Sequence, residues 1–446
     1  MSRPAKRFAP VTVRAVVFLL GLACAWEASA TGFFVNQQSV RGLGRVDAGN
    51  TAAADELGTI FFNPAGLTTL LADGTEARRA SFGLELIVPR STQRNTGSSG
   101  ATAFGSTFTV TGADSHNPTD PTPIPNLYAA QRLADGAGAI GIGINVPFGL
   151  GTKSGADWYG RYDAIEASLA TINVGLVGAY KVTEKLSIGG GVDLQYAKTK
   201  LVAAIPDPGA PEGPSPATDG RVETRGHAWT PGFNVGLLYS ADDDTRLGLH
   251  YRSAMKHDID GSATLSGLAF GNGTYHANAN VDLPAIATAG VWRRLSGTPW
   301  TLMAELEWYQ WSRFRDIVTR YDGLADTVRV THYRDSYAVA VGADYVVSEA
   351  LTLRGGVQYD RTPTVDGYRD TTVPDADRLW LGFGATWRHS PALFVDFAFN
   401  HVFFRDTNVD VTRTFFDGAP FATSVRTMGS VESVVNTIAV DFRYRF

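Results

Sequence analysis

Apolar and polar residues alternate with a period of two through most of this chain from about residue 80 onward. The alternation is cleanest over residues 436–446. There Ile438, Val440, Phe442, Tyr444 and Phe446 take one face, and Thr437, Ala439, Asp441, Arg443 and Arg445 the other. Successive side chains of a strand point to opposite faces, so this is a strand with one apolar and one polar side. The pattern recurs in Ile172-Val174-Leu176, Val192-Leu194-Tyr196, Phe233-Val235-Leu237-Tyr239, Leu379-Leu381-Phe383 and Leu393-Val395-Phe397-Phe399. About fourteen such segments of roughly ten residues follow one another: near 80–90, 124–133, 138–148, 169–182, 185–202, 228–240, 244–262, 280–295, 299–315, 335–347, 350–362, 377–388, 392–406 and 430–446.

Strands of this length with an apolar outer and a polar inner face suit a barrel in lipid, and a single-chain bacterial barrel closes on an even number. The expectation is an all-β fold, a transmembrane antiparallel β-barrel of about 14 strands. The connections 182–185, 240–245 and 347–350 are tight, as periplasmic turns are. The long ones, 90–123, 149–168, 203–227, 263–279, 316–334, 363–376 and 407–429, are assigned to the cell exterior. Pro206, Pro208, Pro211, Pro214 and Pro216 exclude a regular helix in 203–227. Trp292, Trp300, Trp308, Trp387 and Phe403 suit aromatic girdles at the two membrane faces.

The N-terminus adds an export signal. Arg3, Lys6, Arg7 and Arg14 flank an apolar run over 15–26, and Ala28-Ser29-Ala30 offers a cleavage site. Residues 1–30 therefore read as a signal peptide, with an apolar run too short to span a membrane. Cys24, the single cysteine, leaves with that leader, so the mature chain has no disulfide framework. A lipidated Cys24 is the weaker reading, since Gly21 stands where a lipobox carries Leu. Removing the leader takes four basic groups and one acid from a net charge of −5 and leaves −8, which argues against nucleic-acid partners.

Candidate chemistry is sparse. The 8 histidines have no Cys partner and no helical His-x-x-x-His, so no metal site is expected. His250 and Asn234 share inward parity, yet no ordered nucleophile–base set surrounds them, and neither catalysis nor a cofactor is expected. Gly42-x-Gly44 lacks the strand–loop–helix setting of a phosphate loop. Residues 31–79 are rich in Gly and Ala and show no strand periodicity. About fifty residues without disulfide or metal make a marginal free domain. A bore of about fourteen strands needs filling. This segment is expected to fold inside the lumen as a hatch, with the barrel over 80–446.

The same segment carries a family likeness. Thr31-Gly32-Phe33, Asn36, Gly42-Leu43-Gly44-Arg45, Gly49, Ala54-Asp55 and Asn63-Pro64-Ala65 resemble, in order and without a gap, the start of FadL-type long-chain fatty acid transporters. The likeness continues through Asn145 to Gly151, Trp158-Tyr159-Gly160-Arg161-Tyr162, Tyr251-Arg252-Ser253, Trp311-Ser312-Arg313-Phe314 and Pro374-Asp375-Ala376-Asp377-Arg378-Leu379-Trp380. The resemblance implies a fourteen-stranded barrel closed by an N-terminal hatch. It also implies uptake of hydrophobic molecules across the outer membrane, fatty acids in some members and aromatic hydrocarbons in others. The closing Phe446 resembles the C-terminal signal read by barrel assembly machinery.

Several residues acquire roles from this likeness. Asn63-Pro64-Ala65 is a tight turn by composition; the resemblance makes it a hatch turn against the wall, in the same hatch as Gly42 and Gly44. In Asn145-Val146-Pro147-Phe148-Gly149, Pro147 cannot donate to a ladder and Gly149 fills no space, which marks a bulge, a bend or a strand end. The resemblance implies an inward kink at Asn145, Pro147 and Gly149 that lets ligand leave sideways into lipid. Such an exit spares a fatty tail about 0.8 kcal/mol per methylene of re-exposure to water. Phe33 and Phe148 are the implied pocket aromatics.

Lys198 and Lys200 stand where the family binds a carboxylate, yet they share parity with Val192, Leu194 and Tyr196. They face inward only if a bulge shifts the register; otherwise they reach toward headgroups or lipopolysaccharide. Arg315 and Arg320 are alternatives, because Val318 replaces the family's second basic group. Glu305 and Glu307 are expected in the lumen, paired with the inward arginines Arg252, Arg354 and Arg388. The chain thus reads as a monomeric, passive uptake channel for long-chain fatty acids or related lipophilic compounds. Aromatic hydrocarbon uptake by the same fold is the alternative. A general porin, a lipid-acting barrel enzyme and an adhesive barrel are more distant rivals.

Overall fold

The computed structural model describes residues 32–72, 77–102, 105–210 and 213–446. The expected leader, 1–30, lies outside these. Fourteen antiparallel strands close into a barrel. They are β1 (Arg78–Asn95), β2 (Thr122–Arg132), β3 (Gly138–Asn145 and Gly149–Lys153), β4 (Glu166–Lys181), β5 (Leu186–Ile205), β6 (Gly220–Asp242) and β7 (Thr245–Arg252 and Met255–Ser266). The second half comprises β8 (Gly273–Leu283 and Ile286–Arg294), β9 (Trp300–Tyr309 and Asp316–Tyr321), β10 (Thr327–Val330 and Ser336–Ser348), β11 (Leu351–Asp360), β12 (Arg378–Arg388), β13 (Leu393–Phe404 and Thr407–Phe415) and β14 (Thr423–Arg445). Each pairs with the next, and β14 returns to β1 from Arg79↔Arg445 to Asn95↔Gly429. Closure removes the free sheet edges, apart from one local interruption between β2 and β3, and so meets the condition for crossing lipid.

The burial of β14 is the reverse of that in a soluble sheet. Ile438, Phe442 and Tyr444 are 59%, 49% and 45% exposed on the outside, whereas Thr437, Asp441 and Arg443 are 0%, 5% and 8% exposed within. An unbroken outer surface of this kind is stable only against lipid. No helix among the described residues is long and apolar enough to cross a membrane; the strands do it.

Several strands run beyond the stretches that the alternation marked. The expected exterior segment 203–227 shrinks to 206–219, since β5 continues to Ile205 and β6 begins at Gly220. Within 316–334, Asp316–Tyr321 pairs with Thr327–Val330, and Thr407–Phe415 pairs with β14. Above the lipid the outer face meets water, so the outward apolar residues that betray a strand are missing there, and Val409 and Val411 are apolar on the buried face instead. Trp292 is also corrected. It points inward beneath the Arg246 guanidinium (3.7 Å) and packs on hatch alanines, instead of joining a girdle.

Residues 32–72 fill the lumen as short helical turns: α1 (Val40–Leu43), α2 (Asn50–Ala53), α3 (Thr59–Phe62), a 3-10 turn (Pro64–Gly66) and α4 (Leu67–Leu70). Ser39 caps α1, its hydroxyl accepting from Gly42 N at 2.8 Å. Wall glycines receive this segment: a Cβ on Gly248 of β7 would strike the Thr51 backbone, and one on Gly189 of β5 the Ala65 backbone. Ion pairs hold its far side. Arg41 and Arg45 reach Asp55 at 3.2 and 3.1 Å, Arg45 reaches Asp344 at 3.3 Å, and Arg41 reaches Asp396 at 3.5 Å.

Candidate functional site: an aromatic cluster at a broken wall

β2 and β3 pair regularly from Arg132↔Ala139 to Leu127↔Ile144. Above that point, among the described residues, no backbone bond joins 119–126 to 145–152; the next is Lys153 N to Pro118 O at 2.7 Å. β3 breaks here, with Asn145 opposite Asn173 but Gly149 opposite Ala170, so three residues bulge against two. Proline explains why the gap stays open. Pro147 has no N–H, and β2 carries Pro123 and Pro125. Alternate residues aim their N–H at the same neighbour, so these two strip successive donors from one edge. The unbroken β1–β2 ladder, Arg78↔Gln131 to Ile87↔Thr122, leaves that edge facing β3.

The freed kink is taken up by the N-terminal segment. Val35 N donates to Pro147 O (2.9 Å) and Gly149 N to Phe33 O (3.0 Å). Phe34 bridges Phe148, and Gln38 Nε2 donates to Val146 O at 2.7 Å. This brings together an aromatic cluster. The Phe33 ring lies 4.6 Å from Trp311, 5.1 Å from Phe314 and 6.3 Å from Phe148, each edge to face. Tyr333 stands 4.9 Å from Phe314, and Leu150 and Ile317 border the group. Trp311 is here because β9 leaves the wall. Tyr309 pairs with Ile286 and Thr319 with Ala279, so nine residues of β9 face six of β8. The surplus forms an inward 3-10 turn, Trp311–Arg313. Edge-on aromatic rings around an unladdered wall make a site for apolar molecules.

Above the cluster the exterior segments are clasped by charge. Asp163 accepts from Arg413 Nε at 2.8 Å, Arg329 Nη2 at 2.9 Å and Thr371 N at 2.8 Å. Asp370 takes the other side of Arg329 at 2.7 Å. Burial alone would raise the Asp163 carboxyl, but Arg329 and Arg413 outweigh it and hold it well below the usual carboxylate range. Arg161 pairs with Asp219 at 2.9 Å, tying the same segment to the base of β6. The expected exterior connection 149–168 is therefore partly strand and partly a compact cap, with Trp158, Tyr159 and Tyr162 buried.

The structure brings Phe33, Phe148, Asn145, Pro147 and Gly149 to one place. Asn63, Pro64 and Ala65 lie elsewhere, against the wall. Asn63 Nδ2 donates to Thr51 O (2.8 Å) and Leu237 O (2.9 Å), and its Oδ1 accepts from Ala65 N. Gly44 packs on Gly384 of β12, and Gly42 beneath Asn50. Lys198 and Lys200 stay on the outer face, because β5 pairs with both neighbours without a bulge; Lys198 is exposed and Lys200 is paired with Glu166 at 2.6 Å. Arg315 is exposed beside Phe314 but points away from the cluster. Glu305 and Glu307 are buried as expected but not paired with arginines. Glu305 bonds Thr51, and Glu307 accepts from Tyr309 OH at 2.5 Å. Arg252 and Arg354 are drawn to Asp193 and Asp396 instead, and Arg388 is exposed. Sequence reasoning gave no role to Trp311, Phe314, Tyr333 or Asp163. It also missed Pro123-x-Pro125, whose period of two within a strand was a readable sign of a donor-free edge.

Comparison with known proteins agrees with this architecture. The chain is 28% identical over 432 residues to the long-chain fatty acid transport protein of Escherichia coli O6:H1, covering 88% of each. A Pseudomonas aeruginosa FadL homologue superposes with a TM-score of 0.81 at 22% identity, over 93% of this chain and 100% of that one. The Ralstonia pickettii toluene transporter TbuX gives 0.64 at 22% identity, over 90% and 98%. The outer membrane protein transport protein family (OMPP1/FadL/TodX) matches residues 21–446, and this chain belongs to that family of outer-membrane transport proteins.

Proposed function

We propose that the protein is a passive channel that takes hydrophobic molecules, long-chain fatty acids or related lipophilic compounds, across the outer membrane. Ligand collects at the exterior cap, passes to the cluster around Phe33 and Phe148, and leaves sideways between β2 and β3. The observation that carries this reading is the contact between the two features: Phe148 belongs both to the aromatic cluster and to the kink that interrupts the wall. Residues 32–72 act as the hatch that keeps the lumen from conducting freely, which separates this reading from a general porin. The aromatic rings of the cluster also favour aromatic hydrocarbons as a second substrate class, the class of the toluene named for TbuX.

A deletion strain complemented with parent or Phe148→Ala protein tests the proposal, with initial uptake of labelled oleate and toluene as the readout. Loss of uptake in the deletion strain and in Phe148→Ala, with glucose uptake unchanged, is the expected result. Equal uptake by deletion and parent strains of both ligands would overturn it.

A further inference from the structure

Trp311 is fully buried, and its indole N–H has no hydrogen-bond acceptor among the described residues. A buried donor left unmade is unfavourable, so one retained in a native structure calls for an explanation. The chain goes out of its way to place this donor. The three-residue surplus of β9 against β8 lifts Trp311 out of the wall into the ring cluster of Phe33, Phe148, Phe314 and Tyr333. The indole's Cε2–Cζ2 edge, next to the N–H, packs on Gly32, where a Cβ would come within 3.0 Å of Cζ2. Gly32 also lines a cavity of about 60 Å³ whose wall includes Pro89, Leu150, Val373 and Pro374, with the exposed Arg90 on its outer side.

The charges around the cluster decide what kind of acceptor can approach. Asp375 accepts from Gly32 N at 3.1 Å, and Glu307 lies behind Tyr309. The nearby guanidiniums are already matched: Arg378 by Asp360 and Asp375, and Arg329 by Asp163 and Asp370. Arg313 and Arg315 are exposed on the outside. An anionic head within the ring cluster would be buried beside carboxylates, with Arg90 left out on the exposed wall, an unfavourable arrangement.

We propose that the indole N–H of Trp311 is a specificity contact, and that the cluster holds ligands in uncharged form with one hydrogen-bond acceptor oxygen on that N–H: an ester, a ketone, an alcohol or a protonated acid. This rests on the reading of the cluster as the ligand pocket. It adds that polarity within an apolar molecule is recognised, and that the recognised head is neutral.

Trp311→Phe keeps the ring and removes the donor. Binding of methyl laurate, laurate at pH 9 and tridecane to the purified barrel in detergent would be measured for the parent, Trp311→Phe and Phe148→Ala. In the parent, methyl laurate should bind more tightly than both others. Trp311→Phe should weaken methyl laurate roughly fivefold, the worth of one net hydrogen bond, and leave tridecane unchanged. The ¹⁵N–¹H resonance of the Trp311 indole should move on adding methyl laurate and stay in place with tridecane. An undiminished preference for methyl laurate in Trp311→Phe, or an unmoved indole resonance, overturns the N–H contact. Tighter binding of laurate anion than of its ester overturns the neutral head. Unchanged binding of all three in Phe148→Ala would instead show that the pocket lies elsewhere, a failure of the underlying reading.

Discussion

Replacing Phe33 by Ala tests whether the N-terminal segment is a plug that can undock while the barrel stands. A buried Phe→Ala change costs about 3–5 kcal/mol. Three edge contacts, to Trp311, Phe314 and Phe148, disappear with the ring. The barrel ladder does not run through Phe33, so the loss falls on the docking of residues 32–38. What remains there is chiefly Val35 N to Pro147 O, Gly149 N to Phe33 O, and Gln38 to Val146. With about 1.4 kcal/mol for each tenfold, the lower figure raises the undocked population roughly a hundredfold. Hydrogen exchange of the protein in nanodiscs reads this directly. The Val35 and Gly149 amides should exchange faster by about that factor, while β14 amides and the heat-modifiable mobility of the barrel stay as in the parent. Planar bilayers should show brief open events absent from the parent. Unchanged protection at Val35 would refute the argument, as would loss of the whole barrel, which would make Phe33 a global core residue.

The cap and the hatch turn give two further tests. Because the Asp163 carboxyl is held below its ordinary value, its stabilisation is present above the usual carboxylate range and lost as pH falls through that range toward the lowered value. Protection of the Thr371 amide, which donates to Asp163, against hydrogen exchange should therefore be high at neutral pH and fall only below about pH 4, whereas Asp163→Asn should have lost it at pH 7; unchanged protection in both would contradict the latch. Asn63→Ala orphans the carbonyl of Thr51, worth about 1–3 kcal/mol when buried, and takes a second bond from the ladder-paired carbonyl of Leu237. It should raise bilayer conductance without changing the melting of the barrel, and a parent-like conductance would show that the turn does not pin the hatch.

The barrel was legible because lipid and lumen impose opposite demands on alternate residues, and β14 shows this almost residue by residue. The same logic fails above the membrane. The outer ends of β6 and β9 are largely polar and read as loops; Ala203-Ala204-Ile205 of β5 is obscured by the proline-rich run after it, and the far end of β13 keeps its apolar residues, Val409 and Val411, on the buried face. Inside the lumen no periodicity exists, so residues 32–72 could be assigned only by composition and likeness. The break at the kink was legible because Pro147 and Gly149 interrupt a strand locally, whereas Phe33 and Phe148 were picked out by likeness alone. Their partners were not, since Trp311 and Tyr333 reach them through tertiary contact. Lys198 shows the value of parity over likeness: the uninterrupted β5 register keeps it outside. Glu305 and Glu307 show the limit of parity, which finds the face of a carboxylate but not the hatch threonine or strand tyrosine that it meets.

Lateral release through the donor-poor gap is the step on which the proposed uptake depends. Changing only Pro147 and Gly149 leaves Pro123 and Pro125 unable to complete a ladder, so the decisive variant combines Pro123→Val, Pro125→Thr, Pro147→Val and Gly149→Thr. Its most direct measurement is the initial rate of oleate uptake, taken beside amide protection over 119–126 and oleate binding to the purified barrel. With the new ladder protected and binding retained, uptake should fall at least tenfold. Parent-like uptake through a wall shown to be sealed would contradict the claim and send the ligand out through the periplasmic mouth.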